Sequence, residues 1–304
     1  MNQNNINPLL CDPENGACEM PFNEKAVENT TITTEHKPVK IIYYTDPICS
    51  SCWGIEPQLR KLKLEYGDYF DIDYKMGGLL PDWSYNSGGI SKPSDVAHHW
   101  DEASLVYEMP IDGNVWIEDP LDSSYPSCIA MKAAQIQSKE KAVYFMRVLR
   151  EKLYLEKRNI AKWSNIEEAA KIAGLDIQRM KSDYDDAEEL FQEDLDYGKK
   201  LGVRGFPTLF FADQSNNRFA VYGSNLYSEY ENALLAAFPD AKKKNILNTD
   251  PLFIFEIYPT LAPKEYAVIL DIPYAETIIL LEKLFEKGKL GKQSIKNGSL
   301  YYKK

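Results

Sequence analysis

Apolar positions first gather in PVKIIYYTDP, residues 38–47. The β-branched and aromatic run Val39 to Thr45 predicts a strand, stopped by Asp46-Pro47. WGIEPQLRKLKLEYG follows, with Ile55, Leu59, Leu62 and Leu64 near helical spacing and a glycine stop at Gly67. FDIDYKMGG, residues 70–78, predicts a second strand ended by two glycines. From Ser94 to Gly202 the pattern is helical almost throughout: SSYPSCIAMKAAQIQ, EKAVYFMRVLREKLYLEK and NIEEAAKIAGL each repeat apolar residues three or four apart. GVRGFPTLFFAD then gives a turn, a proline and the strand Thr208 to Phe211. NNRFAVYG supplies a partner strand behind the turn pair Asn216-Asn217. YSEYENALLAAF closes this part as a helix ending at Pro239.

Two segments break the pattern. Residues 1–38 are polar, rich in Asn, Thr and Glu, and predict a partly disordered leader. At the other end, PKEYAVILDIP and YAETIILLEKLFEKGKL predict two amphipathic helices, followed by short strands around Asn297-Gly298. Helix, turn, helix and an Asn-Gly hairpin form the pattern of a winged-helix module over residues 246–304. Residues 39–240 then form the main domain, with a helical insert at about 94–202.

Charge sharpens this division. The chain has 304 residues and a net charge of −11. From Ala241 to Lys304 there are 11 lysines against 7 acids, so this basic tail differs from the acidic remainder. The overall acidity argues against nucleic-acid binding. Lys283, Lys287, Lys289, Lys292 and Lys296 do not reverse that. Glu276, Glu282 and Glu286 share the helix that would meet phosphates, and the tail has no arginine for guanine contacts. A structural or partner-docking wing is the expectation. The start has no basic, apolar signal pattern and no apolar run of membrane-spanning length occurs, so the expected location is the cytoplasm.

The chemistry lies in DPICSSCWGIEP, residues 46–57. A zinc site needs four ligands, but there is no second CxxC, and the adjacent His98 and His99 diverge on a helix; no metal is expected. Redox chemistry fits better. Cys49 falls where a strand ends and a helix begins, and unpaired N–H groups there stabilise a thiolate. Cys49 is then the attacking sulfur, and Cys52, one turn on, resolves it. Downstream, Pro207 stands directly before a strand. It is a candidate cis-proline or an ordinary trans proline at a strand start.

Strand, CxxC, helix, strand, helical insert, Gly-Phe-Pro-Thr and hairpin together resemble the DsbA-like branch of the thioredoxin superfamily. Pro57, five residues after Cys52, matches the helix-kinking proline of that superfamily. TDPICSSCWGIEP, MGGLLPDW, HHW and SSYPSCIAMKAAQ are similar to the cytoplasmic FrnE-like group of predicted protein-disulfide isomerases. The resemblance covers roughly residues 39–238. It implies a thioredoxin fold, α/β with a long helical insertion. It also implies a nucleophile at Cys49, a resolving thiol at Cys52 and a cis-proline at Pro207 facing the disulfide. Substrate binding falls to Phe206, whose backbone pairs with an extended substrate segment, with Trp53 and Thr208 beside it. Ser50-Ser51 departs from the Pro-His of DsbA, which implies a less oxidising couple.

Several residues remain open. Asp46 and Glu56 are candidate proton shuttles for Cys52, or a turn-capping acid and a surface helical acid. Cys11 and Cys18 enclose DPENGA and are a candidate second redox pair, or two free thiols in the leader. Cys128 fits a small buried hydrophobe better than a third redox residue. The expected function is a thiol–disulfide oxidoreductase or isomerase acting on protein cysteines, with no dissociable cofactor. The alternative is a non-catalytic adaptor of this fold that docks a protein for a protease. A glutathione-dependent isomerase is disfavoured, because relatives of that kind carry serine where Cys49 stands.

Overall fold

Val39–Thr45 is apolar on both faces because both faces are covered. In the computed structural model the structure describes residues 11–12, 16–19, 37–84, 90–246 and 250–304, with the backbone alone for 11, 12, 18 and 19. Most of the leader expected over residues 1–38 therefore lies outside the described residues. What is described there is a pair of short antiparallel strands, β1 (Cys11–Asp12) and β2 (Ala17–Glu19). The polar composition of this stretch predicts no strand there. Its pattern is too short and too polar to announce one, and its pairing is set by a distant partner.

β3 (Val39–Thr45) leads through Asp46 and Pro47 into α1 (Ser50–Gly54). Ile55 ends α1 and caps α2 (Glu56–Tyr66), with Pro57 in the first turn of α2. Proline there gives up an N–H that a helix start leaves unpaired anyway, so the expected single helix becomes two. β4 (Phe70–Met76) returns parallel to β3. The insert follows as α3 (Pro93–Tyr107), α4 (Val115–Glu118), α5 (Tyr125–Gln137), α6 (Lys139–Tyr154), α7 (Trp163–Ile172), α8 (Ile177–Ser182) and α9 (Tyr184–Lys200). Then come β5 (Gly205–Phe206), β6 (Thr208–Ala212), β7 (Arg218–Tyr222) and α10 (Tyr227–Ala237).

The main sheet runs β4-β3-β6-β7, with β6 antiparallel to both β3 and β7. The architecture is a thioredoxin-like α/β sheet with a long helical insertion between β4 and β5. Thr208 pairs with Tyr44, so the start of β6 lies beside the end of β3 that feeds α1.

The C-terminal part comprises α11 (Ile254–Ile257), β8 (Thr260–Leu261), α12 (Pro263–Leu270), α13 (Tyr274–Glu286), β9 (Leu290–Ile295) and β10 (Gly298–Lys303). Its sheet order is β8-β10-β9. Ile254, Phe255, Leu261, Tyr266, Ile269, Leu281, Leu290 and Tyr301 form a buried cluster separate from the main core. This part packs on α2 and on the insert. Leu64 of α2 joins the second cluster while Leu59 and Leu62 join the first, so α2 is apolar on two sides. Among the described residues, no helix is long and apolar enough to cross a membrane.

Candidate functional site

Cys49 is the N-cap of α1, and its sulfur accepts a hydrogen bond from the Cys52 N–H at 3.1 Å. Chain reversal at Asp46-Pro47 places it there: the Asp46 carboxylate accepts from the Ile48 N–H at 3.0 Å, and the Cys49 N–H donates to the Asp46 carbonyl at 3.1 Å. Cys49 and Cys52 form a disulfide with 5.2 Å between their Cα atoms. Neither has any exposed surface. Pro207 follows a cis peptide bond after Phe206. The pairing of Thr208 with Tyr44 brings it to the end of β3, next to the turn that carries Cys49.

The three substrate-binding candidates, Trp53, Thr208 and Phe206, each have partners within the chain. Trp53 is fully buried. Its Nε1–H donates to the Pro110 carbonyl at 3.1 Å, and the Arg147 guanidinium lies 4.3 Å from its ring centre. Thr208 turns its hydroxyl back to the Gly205 carbonyl at 2.7 Å. The Phe206 backbone does pair with an extended segment, but that segment is β2 of the same chain: Cys18 stands opposite Phe206, and Glu19 opposite Gly205.

The two proton-shuttle candidates differ. Asp46 is buried and accepts from the Leu79 N–H at 2.7 Å, the Ser124 hydroxyl at 2.9 Å and the Cys128 thiol at 3.3 Å, besides Ile48. Burial pushes its carboxyl above the ordinary range, and these hydrogen bonds pull the other way. Glu56 instead meets Arg150 at 2.5 Å. Arg150, itself buried, also donates to the Thr45 hydroxyl at 2.8 Å and the Asp46 carbonyl at 3.2 Å. Glu56 thereby ties α2 to the end of β3.

Cys128 is a free, buried cysteine whose thiol is held well above its ordinary pKa by burial and by the Asp46 carboxylate. The side chains of Cys11 and Cys18 lie outside the described residues, although the backbone register sets one opposite the other. His98 and His99 sit on the outer face of α3, where both approach Glu102. Among the described residues, no cluster of His, Cys, Asp and Glu is arranged to hold a metal ion.

Sequence reasoning missed the charges that connect the CxxC helix to the C-terminal part. Arg147 holds Glu265 of α12 with bonds of 2.8 and 3.1 Å, and Glu265 also meets Arg60 at 3.1 Å. Burial alone raises the Glu265 carboxyl. Arg147, Arg60 and the Ala262 N–H outweigh it and bring the pKa below the ordinary range. The one signal available was Arg147, which interrupts the otherwise apolar stretch AVYFMRVL, residues 142–149, with Arg150 directly after it. At the turn between β9 and β10, Asn297 donates to Asp101 at 2.7 Å and to the Ile111 carbonyl at 2.9 Å, and Lys296 meets Asp101 at 2.7 Å.

A thioredoxin family model matches residues 43–232. A relative from Halalkalibacterium halodurans, named ClpXP adapter protein SpxH, is 31% identical over 97% of both chains. Two solved structures share the fold. One, from Nitrosomonas europaea and provisionally named a protein disulfide isomerase, has a TM-score of 0.57 and 20% identity, covering 66% of this chain and 97% of its own. The other, from Streptomyces coelicolor and provisionally named a DsbA oxidoreductase, has a TM-score of 0.53 and 13% identity, covering 69% and 94%. Other curated relatives at 28–31% identity over most of the chain carry the same ClpXP adapter name. This overturns the expectation of a disulfide oxidoreductase or isomerase. The oxidoreductase likeness is one of fold, at low identity; the likeness over the whole chain is to adapters.

Proposed function

The chain belongs to the thioredoxin family, and from that premise we propose that it is a protein-binding adaptor that presents a partner protein to a ClpXP-type protease. The observation that carries this is one of extent. The adapter relative aligns with 97% of this chain, both the thioredoxin-fold part and the C-terminal part, whereas the oxidoreductase-like structures cover 66–69% of it. An adaptor needs two faces held in a fixed relation, and a buried ion-pair network between the two parts supports that use. The sealed disulfide, without exposed sulfur, also suits a structural or sensing role better than turnover.

The test is a reconstituted ClpXP reaction supplied with the soluble proteins of the chain's own source cell and followed by quantitative mass spectrometry. Adding the chain is expected to accelerate loss of a small set of proteins. A variant with both Cys49→Ala and Cys52→Ala is expected to retain that stimulation while showing no insulin reduction. Equal degradation with and without the chain would sink the adaptor reading.

A further inference from the structure

The edge of β5 beside Pro207 is where an extended peptide can add a strand to this fold, through backbone hydrogen bonds. In this structure the place is taken. β2 pairs antiparallel with β5, and the docking continues past the strand, where the Ser224 N–H donates to the Gly16 carbonyl at 2.7 Å. Ala17 is 1% exposed, so a side chain larger than methyl meets protein on this face. Gly16 has φ +59, and a Cβ there would lie 2.8 Å from the Ser224 Cβ, so this approach requires glycine. Among the described residues, β5 pairs with no other strand.

β1 and β2 span two and three residues. A hairpin of that size has no stability of its own, so its order depends on the surface it lies on. Such segments open at low free energy compared with the central sheet. We propose that residues 16–19 are a built-in occupant of the β5 docking edge and exclude any second chain from it until they are displaced. The displacing partner is an extended protein segment that runs antiparallel to β5, with a small residue in the place of Ala17. This does not rest on the adaptor reading: it concerns which segment holds the edge, whatever the full chain delivers.

The test keeps the full chain and uses Ala17→Asp and Gly16→Val, each aimed at one of the two docking contacts. The probe is a fluorescent synthetic peptide of residues 11–20 with both cysteines replaced by serine. Amide exchange of the segment 203–209 is expected to quicken by about tenfold or more in both variants. The peptide should bind the variants at least about tenfold more tightly than the wild-type chain, and should restore protection to 203–209 in the variants. Unchanged exchange in the variants, or a freely exchanging edge that ignores the peptide, overturns the proposal. So does loss of protection in Val39–Thr45, because the segment would then be an integral part of the fold and not a displaceable occupant.

Discussion

The Arg147 guanidinium meets the Glu265 carboxylate end-on, Nη1 and Nη2 donating to its two oxygens at 2.8 and 3.1 Å, across the junction between the insert and the C-terminal part. Both groups are buried, and the same guanidinium covers the ring of Trp53, the residue after Cys52. One side chain therefore contacts both the CxxC helix and α12. Removing it leaves a buried carboxylate with Arg60 as its remaining cation. Arg147→Ala is expected to cost about 3 kcal/mol, the low end for breaking a buried pair, because Arg60 still compensates. Urea unfolding followed by tryptophan emission checks this, since Trp53 loses its cation in the same step. A loss under about 0.5 kcal/mol would mean the pair behaves as an exposed one.

Glu265 also sets an acid limb on stability. Its folded pKa lies below the ordinary value, so the unfolded chain binds its proton more readily. That stabilisation is fully present above the unfolded value, near pH 4.3, and drains away as pH falls through the lower folded value. Thermal unfolding between pH 6 and 3 is expected to show a steep fall in Tm for the wild type and a shallower one for Glu265→Gln. Parallel curves would remove Glu265 as the source.

Asp46 has the opposite sign. Burial raises its pKa, so the folded chain holds the proton more tightly, and the associated stability is present at low pH and lost as pH rises through the raised value. The Cys128 thiol at 3.3 Å is one of four donors that make the ionised form bearable. Cys128→Ala deletes one of them and is expected to destabilise the protein by about 1–2 kcal/mol above the raised value, and less below it. Cys128→Ser, which keeps a donor, should recover most of this. In the native wild type, Cys128 is expected to resist a thiol reagent at pH 8 and to react once urea unfolds the chain. Fast native labelling, located by peptide mapping, would contradict the burial that both effects depend on.

The main sheet was legible because its strands obey local rules: β3 is apolar on both faces, and the β6–β7 hairpin turns at Asn216-Asn217. The helix–helix–hairpin order of the C-terminal part was legible for the same reason. The pairing of β2 with β5 was not, since a three-residue strand carries no periodicity and its partner lies far along the chain. Buried ion pairs were not legible. Glu56 fits a surface helical acid until Arg150 is brought to it from α6, and nothing local to Glu265 announces Arg147 and Arg60, which reach it from α6 and α2. The CxxC with its cis-proline identified the fold correctly but said nothing of activity, because the same scaffold serves both catalysts and binding proteins.

Gly77 supplies the last prediction. The strand ending in Met76-Gly77-Gly78 looks like a simple glycine stop, but a Cβ on Gly77 would fall inside the Phe206 ring. Gly77→Ala must therefore push that ring away, and with it the backbone that pairs with β2. The expected loss is about 2–3 kcal/mol from overpacking. Phe206→Ala alone opens a cavity and costs about 3–5 kcal/mol. The two changes are complementary, since the alanine methyl occupies space the ring has left. A double-mutant cycle should show the pair less destabilised than the sum of the single changes by about 1–3 kcal/mol. Chemical denaturation of the four proteins measures this directly. Strict additivity would mean that Gly77 and Phe206 are not in contact, and the close packing beneath the β5 edge would have to be abandoned.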